Sequence, residues 1–418
     1  MLFKIRLRNT IIIVCLALLV GAGWQWISGR PATSNAVEAQ GILPDDVFQQ
    51  DWKKPISSYK SSALSPEANY AAVISGDSST TTLYKITSVH GAVTSVTPCW
   101  GKKVDGATRV AVTSNARNVL VYTMWNPVNR VLTILKGSDG SVLFHPTLDG
   151  AIWDVSVSSD GCFASVVTGN HSIYLYSLGN QPVFLHHWDL NGIGNTVAFT
   201  RNSAGVIAGT WDESGIACYS RTGDTQWQYP VRDDDRRALV NRLFEAHVAD
   251  NGEYVLGMSY ANIRQGDATL YLWRNDGTGV PLWTHPLGDD TFYPKAQITA
   301  DGKFIAVSYL RLISRKDTSI QERRIMILDD NNNVLWDKGG LLLAPVLVSL
   351  APDGHRVTVS NGDKTLYHLS GNGHMTPATW TAPGSIRDTE ASADGNFLLV
   401  YSGDGTLTLL RLTRGDET

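Results

Sequence analysis

The chain has 418 residues, with Lys+Arg 35 against Asp+Glu 39 and a formal net charge of −4. Hydrophobic residues make up 43% and charged residues 18%, which supplies a large core and argues against general disorder. The acidic balance excludes a protein that coats nucleic acid, so no nucleic-acid partner is expected.

The basic excess is confined to the start. Residues 1–30 hold Lys4, Arg6, Arg8 and Arg30 and no acid. Removing those four from the 35 cations leaves 31 against 39 acids, a net −8 for the remainder. Thr10–Ser28 is a run of 19 residues without a charge. At about 1.5 Å per residue it spans roughly 28 Å, close to the hydrocarbon thickness of a bilayer. Trp24 and Trp26 lie at its far end, where indoles suit the headgroup zone. The expectation is a cytoplasmic basic tail (1–9), an uncleaved transmembrane signal-anchor helix (10–28) and a tether (29–44). The positive-inside rule then puts residues 45–418 outside the cytoplasmic membrane, in the periplasm of a single-pass protein. The competing reading is a cleaved signal peptide, but the Val37-Glu38-Ala39 site lies far beyond the apolar run.

From residue 45 onward the chain repeats itself. TADGKFIAVSY (299–309) recurs as SADGNFLLVYS (392–402), SSDGCFASVVT (158–168), APDGHRVTVSN (351–361) and ADNGEYVLGMS (249–259). Weaker copies begin at 65, 113 and 200. The anchoring residues are Glu67, Asn115, Asp160, Asn202, Asn251, Asp301, Asp353 and Asp394, spaced 41 to 52 apart. Each unit runs from an alternating strand through an Asp-Gly turn to an apolar strand, then a third strand such as SIYLYS (172–177). A polar turn and a short closing strand follow, as in WQYP (227–230), WTHP (283–286) and WTAP (380–383). Period-two alternation marks strands, and Asp-Gly supplies the positive φ of tight hairpins. Four-stranded sheets bury both faces only when stacked around an axis, which is an all-β propeller. The final unit lacks an outer strand, and VFQQDWKKP (47–55) reads as one. The ring is therefore expected to close by pairing residues 47–55 with the last blade, giving eight blades. Seven is the alternative, because the units near 105 and 200 are degenerate. A turn of helix is allowed only within residues 233–245.

Residues 45–418 resemble bacterial PQQ-like and WD40-like β-propeller repeat proteins. Residues 267–273 (DATLYLW) are similar to the third strand of a WD40 blade, and residues 275–283 (NDGTGVPLW) to the third-to-fourth strand turn of a PQQ-like blade. Gly-His and regular Trp-Asp dipeptides are absent, so the resemblance specifies fold far better than function. Family members that use the quinone carry an adjacent cysteine pair and Ca²⁺ ligands. No Cys-Cys and no CxxCH occurs here, and no cofactor is expected.

No GxSxG, HExxH, P-loop or EF-hand pattern is present, so the chain is read as a non-enzyme with no catalytic or metal site. Cys15, Cys99, Cys162 and Cys218 are read as small hydrophobes. His186 and His187, adjacent on a strand, point to opposite faces. Asp276 and Asp329 fit hairpin turns better than Ca²⁺ loops. Two surfaces remain. The first lies six positions before each anchor, where Arg109, Asp154, Glu245, Lys295 and Asp388, with Ser61, Thr196 and Leu347, should ring one mouth of the central channel. Pairing of Arg109 with Asp154 and of Glu245 with Lys295 would keep that channel closed. The second is a charged crown on the loops of blades 4 to 6. It comprises Arg232, Asp233, Asp234, Asp235, Arg236, Arg237, Arg264, Asp289, Asp290, Arg311, Arg315, Lys316, Arg323 and Arg324. The leading function is a scaffold that docks protein partners of an envelope complex. A small-ligand or glycan-binding sensor is second. A quinoprotein-like, hydrolase or lyase enzyme is third.

Overall fold

The computed structural model describes residues 46–89, 91–200, 203–211, 215–229, 242–249, 251–261, 267–313, 321–339, 346–351, 354, 356–360, 364–370 and 378–414. The anchor at 10–28 and the tether at 29–44 lie outside them. Among the described residues no helix is long and apolar enough to cross a membrane.

The strands form eight antiparallel four-stranded blades, so eight is the count and not seven. Blade 1 runs Ser61–Leu64, Tyr70–Ser75, Thr80–Val89 and Ala92–Lys103. Blade 2 runs Arg109–Val112, Asn118–Tyr122, Leu132–Lys136 and Val142–Phe144. Blade 3 is Ile152–Val157, Phe163–Thr168, Ser172–Ser177 and Val183–Asp189. Blade 4 is Ile193–Phe199, Gly205–Trp211, Ile216–Ser220 and Thr225–Tyr229. Blade 5 is Arg242–Val248, Tyr254–Ala261, Asp267–Arg274 and Pro281–Asp289. A single bridge, Trp211 to Leu243, makes blades 4 and 5 one continuous sheet. Blade 6 is Thr291–Ile298, Phe304–Leu312, Gln321–Asp329 and Val334–Gly339. Blade 7 is Val346–Leu350, Arg356–Ser360, Thr365–Ser370 and Ala378–Thr381. Blade 8 takes Ile386–Ala391, Phe397–Ser402 and Thr406–Arg414 from the C-terminus, and Asp46–Pro55 as its outer strand. Residues 242–245, where a helical turn was allowed, are strand.

Closure is a long ladder from Asp46 opposite Arg414 to Pro55 opposite Thr406, bulged at Asp51. The bulge turns the Asp51 carboxylate onto Arg411, whose Nε donates to it at 3.2 Å. Burial raises the Asp51 pKa more than the guanidinium lowers it. Apolar layers fill the gaps between blades. Trp52, Leu399, Leu407 and Leu409 of blade 8 pack on Leu64, Val73, Tyr84 and Ile86 of blade 1, sealing the ring. Comparable clusters join blades 1 and 2, 5 and 6, and 7 and 8.

The repeated turn has a simple physical cause. In SSDG, SADG and TADG the Ser or Thr hydroxyl donates to the Asp carboxylate and accepts the N–H of the residue opening the next strand. The acceptor oxygens belong to Ser158, Ser392 and Thr299, and the donors are Phe163, Phe397 and Phe304. The Gly that follows is left-handed, with φ of 67° at Gly161 and 78° at Gly302. The weaker copies keep that conformation without Gly, at Ala68 (φ 55°), Ala116 (φ 47°) and Ser203 (φ 55°).

Candidate functional site

Ring closure brings the inner strands together, and with them side chains from blades that do not touch. Glu390 of blade 8 feels the charges of Arg109 on blade 2 and Lys295 on blade 6. Asp154 of blade 3 feels Glu245 of blade 5, and His247 of blade 5 feels Asp154. Blades separated by a third can meet in this way only at the axis. The inner-strand positions Arg109, Asp154, Glu245, Lys295 and Asp388 therefore converge on the central channel.

The expected mutual pairing is not what holds them. Neither Arg109 with Asp154 nor Glu245 with Lys295 closes to an ion pair. The carboxylates instead take neutral donors. Asp154 Oδ2 accepts the Val197 N–H at 2.9 Å and the Thr196 hydroxyl at 3.1 Å, tying blade 3 to blade 4. The Tyr260 hydroxyl donates to Glu245 at 2.6 Å. The Tyr59 hydroxyl donates to Asp388 at 2.5 Å, linking the start of blade 1 to blade 8. Tyr59 also stacks on Tyr401, with ring centroids 3.9 Å apart. Arg109 donates to the Lys60 and Thr108 carbonyls at 3.4 and 3.1 Å. Neutral donors satisfy a carboxylate without cancelling its charge. Burial outweighs these bonds and raises the pKa of Asp154 and of Glu245. Of the other ring positions, Thr196 serves Asp154 and Ser61 is buried, while Leu347 packs into the core between blades 6 and 7.

Glu390 and His247 belong to the channel and were not anticipated. Each lies two residues beyond a ring position, Asp388 and Glu245. The period-two rule that defined the strands also puts i and i+2 on one side. Glu390 is only half-buried. Burial, then the charge of Asp388, pushes its carboxyl up to about 8, against the pull of Arg109 and Lys295. Burial lowers the His247 pKa, against the pull of Asp154. Tyr122, opposite Arg109 on the second strand of blade 2, is 8% exposed. Its hydroxyl makes no hydrogen bond, and it senses Asp154, Arg109 and Glu390.

Most of the crown lies outside the described residues: Arg232, Asp233, Asp234, Asp235, Arg236, Arg237, Arg264, Arg315 and Lys316. Asp289 is described only as backbone, the last residue of the blade 5 outer strand. Asp290 occupies a left-handed turn at φ 63°, and Arg311 is exposed at the end of a blade 6 strand. Arg323 is half-buried beside Tyr293. Arg324 is already held by Glu322 at 3.0 Å and by Asp337 at 2.9 Å.

The remaining motifs make local contacts. Asp276 Oδ1 accepts the N–H and the hydroxyl of Thr278, and Asp329 accepts the N–H groups of Asn331 and Asn333. His186 faces Trp188 and His187 faces Tyr174. Cys218 is buried, as a small hydrophobe should be, but Cys162 is only partly covered and Cys99 is exposed. Among the described residues no group of three or more His, Cys, Asp or Glu is placed to hold a metal ion.

No protein-family model matches the chain, and no curated protein matches it. Solved structures match by fold. The C-terminal WD40 domain of Sif2 aligns with a TM-score of 0.61 at 13% identity, covering 89% of this chain and 99% of that one. BamB from Moraxella catarrhalis aligns at 0.56 and 16%, covering 87% and 98%. Kuenenia stuttgartiensis hydrazine synthase aligns at 0.52 and 10%, covering 73% and 95%. At these identities the likeness establishes a β-propeller repeat fold. A WD40 domain and an enzyme both stand among the neighbours, so fold alone does not assign an activity.

Proposed function

We propose that the chain is a non-enzymatic protein-docking scaffold, a propeller held at the outer side of the cytoplasmic membrane by residues 10–28 and serving an envelope complex. The observation that carries the docking role is a recurrence on the rim. Outer strands open with exposed apolar side chains on five blades: Val142 on blade 2, Val183, Phe184 and Leu185 on blade 3, Leu282 on blade 5 with Val280 just before the strand, Val334 and Leu335 on blade 6, and Val47 on blade 8. Phe184 is 47% exposed and Leu335 46%. Scattered apolar residues are ordinary on a surface, but three in a row on an outer strand, with counterparts at the same blade position, suit a protein partner. The fold neighbours are consistent with an interaction module. The anchor and the periplasmic location rest on the 19-residue uncharged run and the basic residues before it.

The test is a photo-crosslinking amino acid at position 184 or 335, activated in native membranes and followed by mass spectrometry. A discrete adduct that disappears in Leu185→Lys, in protein that keeps its native melting temperature, is the expected result. Absence of adducts from both positions would remove the rim as the docking surface. Protease added to intact spheroplasts should degrade the propeller, and protection would overturn the assigned side of the membrane.

A further inference from the structure

We propose that the outer strand of blade 3, Val183–Asp189, is a docking edge that takes an extended segment of a partner protein as a fifth strand. This rests on the docking role proposed above and names the partner's form and chemistry. The far side of every outer strand is an open edge, and folded proteins blunt such edges with proline, lysine or shortness. Seven of the eight are blunted in that way. Blade 1 carries Pro98, blade 5 Pro281 and Pro286, blade 8 Lys53 and Lys54, and blade 6 Lys338. The outer strands of blades 2, 4 and 7 are three, five and four residues long. Blade 3 has seven residues without proline, lysine or arginine, and three exposed apolar side chains in succession, Val183, Phe184 and Leu185.

The register shows which main-chain groups this edge offers. The Leu190 N–H donates to the His171 carbonyl at 2.6 Å, which makes 171 and 190 a hydrogen-bonded pair. Antiparallel pairs alternate, so Ser172 with Asp189 and Tyr174 with His187 are non-bonded pairs. The N–H and C=O of His187 and Asp189 therefore point off the blade. A bulge at Leu185 ends this regular edge where the apolar residues begin. A partner strand would bond the main chain at 187 and 189 and pack on the side chains at 183–185. A second copy fits badly. Antiparallel pairing centred on His186 sets Val183 against Asp189 and Leu185 against His187. Sliding the two apolar ends together instead moves His187 and Asp189 past the end of the copy's strand. Charge selects the occupant. The Asp189 side chain is 85% exposed, with the His187 imidazole 3.8 Å away. The chain after residue 30 carries 31 cations against 39 acids. The matching segment is therefore apolar at one end and carries Lys or Arg at the other, opposite Asp189.

The probe is a random peptide library displayed on phage and selected against the full chain in detergent. Enriched peptides should alternate β-branched or aromatic residues with polar ones and carry Lys or Arg near one end. With such a peptide bound, hydrogen exchange at the His187 and Asp189 amides should slow about tenfold or more. His187→Pro deletes an N–H that the blade does not use, so the melting temperature should hold while peptide affinity falls about tenfold or more. His187→Ala should keep affinity within about threefold. Asp189→Lys should weaken binding about tenfold and remove its salt dependence. The proposal fails if no peptide is enriched, if enriched peptides bind His187→Pro as tightly as the native chain, or if the two amides exchange unchanged. It fails equally if the native chain dimerises by light scattering and His187→Pro does not, which makes a second copy the occupant. Photo-crosslinking separates this from the broader docking role. An adduct at position 184 that survives His187→Pro keeps docking and removes strand pairing, whereas absence of adducts at 184 and 335 removes both.

Discussion

Glu390 shows how one half-buried carboxyl couples the fold to pH. Its pKa rises from 4.5 to about 8 on folding, so the native state takes up a proton between those values. Stability from this group is complete below about pH 4.5 and falls as pH climbs to about 8. Glu390→Gln removes the titration. Its melting temperature should match the native protein near pH 5 and exceed it by about 2–4 °C at pH 8.5, corresponding to about 1–2 kcal/mol once channel water is allowed for. Differential scanning fluorimetry across pH reads this directly, and a variant advantage at pH 5 that shrinks toward pH 8.5 would reverse the assignment. At this scale the sequence was only half legible. Counting back six residues from each repeat anchor found Arg109, Asp154, Glu245, Lys295 and Asp388, because the repeat fixes equivalent positions. It could not find Tyr59, Tyr122 or Tyr260, which reach the channel from other segments and depend on cross-strand register. Nor could it foresee that tyrosine hydroxyls and backbone N–H groups, rather than opposite charges, would hold the acids. Glu390 and His247 were within reach, since strand periodicity points to them.

Strands and turns were the most legible elements, since the turn chemistry is written in the repeat. Ser or Thr, Asp and Gly each have a separate task, and the degenerate units show what happens when one is lost. Ala68 holds φ 55° where Gly161 holds 67°. A side chain in that region costs about 1–2 kcal/mol, offset in part by the greater freedom of unfolded Gly. Gly161→Ala should therefore destabilise by about 1 kcal/mol, while Ala68→Gly should stabilise by about 0.5 kcal/mol, both read as urea midpoints with unchanged slope. Two changes of the same sign would refute the account. The Trp of the closing strands has a role that the sequence marked by recurrence alone. Trp100, Trp227 and Trp283 donate across the gap to Gly137 O at 2.7 Å, Asn275 Oδ1 at 3.0 Å and Asp330 O at 2.9 Å, each on the next blade. Trp283→Phe keeps most of the apolar contact and loses the bond, and should cost about 1 kcal/mol.

The whole molecule depends on how its ends meet. An open stack of blades would behave as a one-dimensional array, in which a terminal unit frays without disturbing the middle. Pairing of Asp46–Pro55 with Thr406–Arg414 removes both free ends, and the layer holding Trp52 and Leu407 makes blades 8 and 1 neighbours like any others. Damage at the seam should therefore be felt everywhere. Trp52→Ala leaves the ladder intact and empties part of the seam, at a cost of about 3 kcal/mol. In a closed ring the single calorimetric transition should move down as one, and hydrogen exchange should accelerate alike in blade 4, far from the change, and in blade 8. An open array predicts a separate early transition confined to blades 8 and 1, with exchange in blade 4 unchanged. Deleting residues 46–55 carries the argument further. The exposed strand Thr406–Arg414 would become a bare edge with Leu407, Leu409 and Leu410 beside it, and such an edge invites pairing between chains. That deletion should give oligomers by light scattering, and a peptide of residues 44–57 added during refolding should restore the monomer-like melt if closure is what the segment provides.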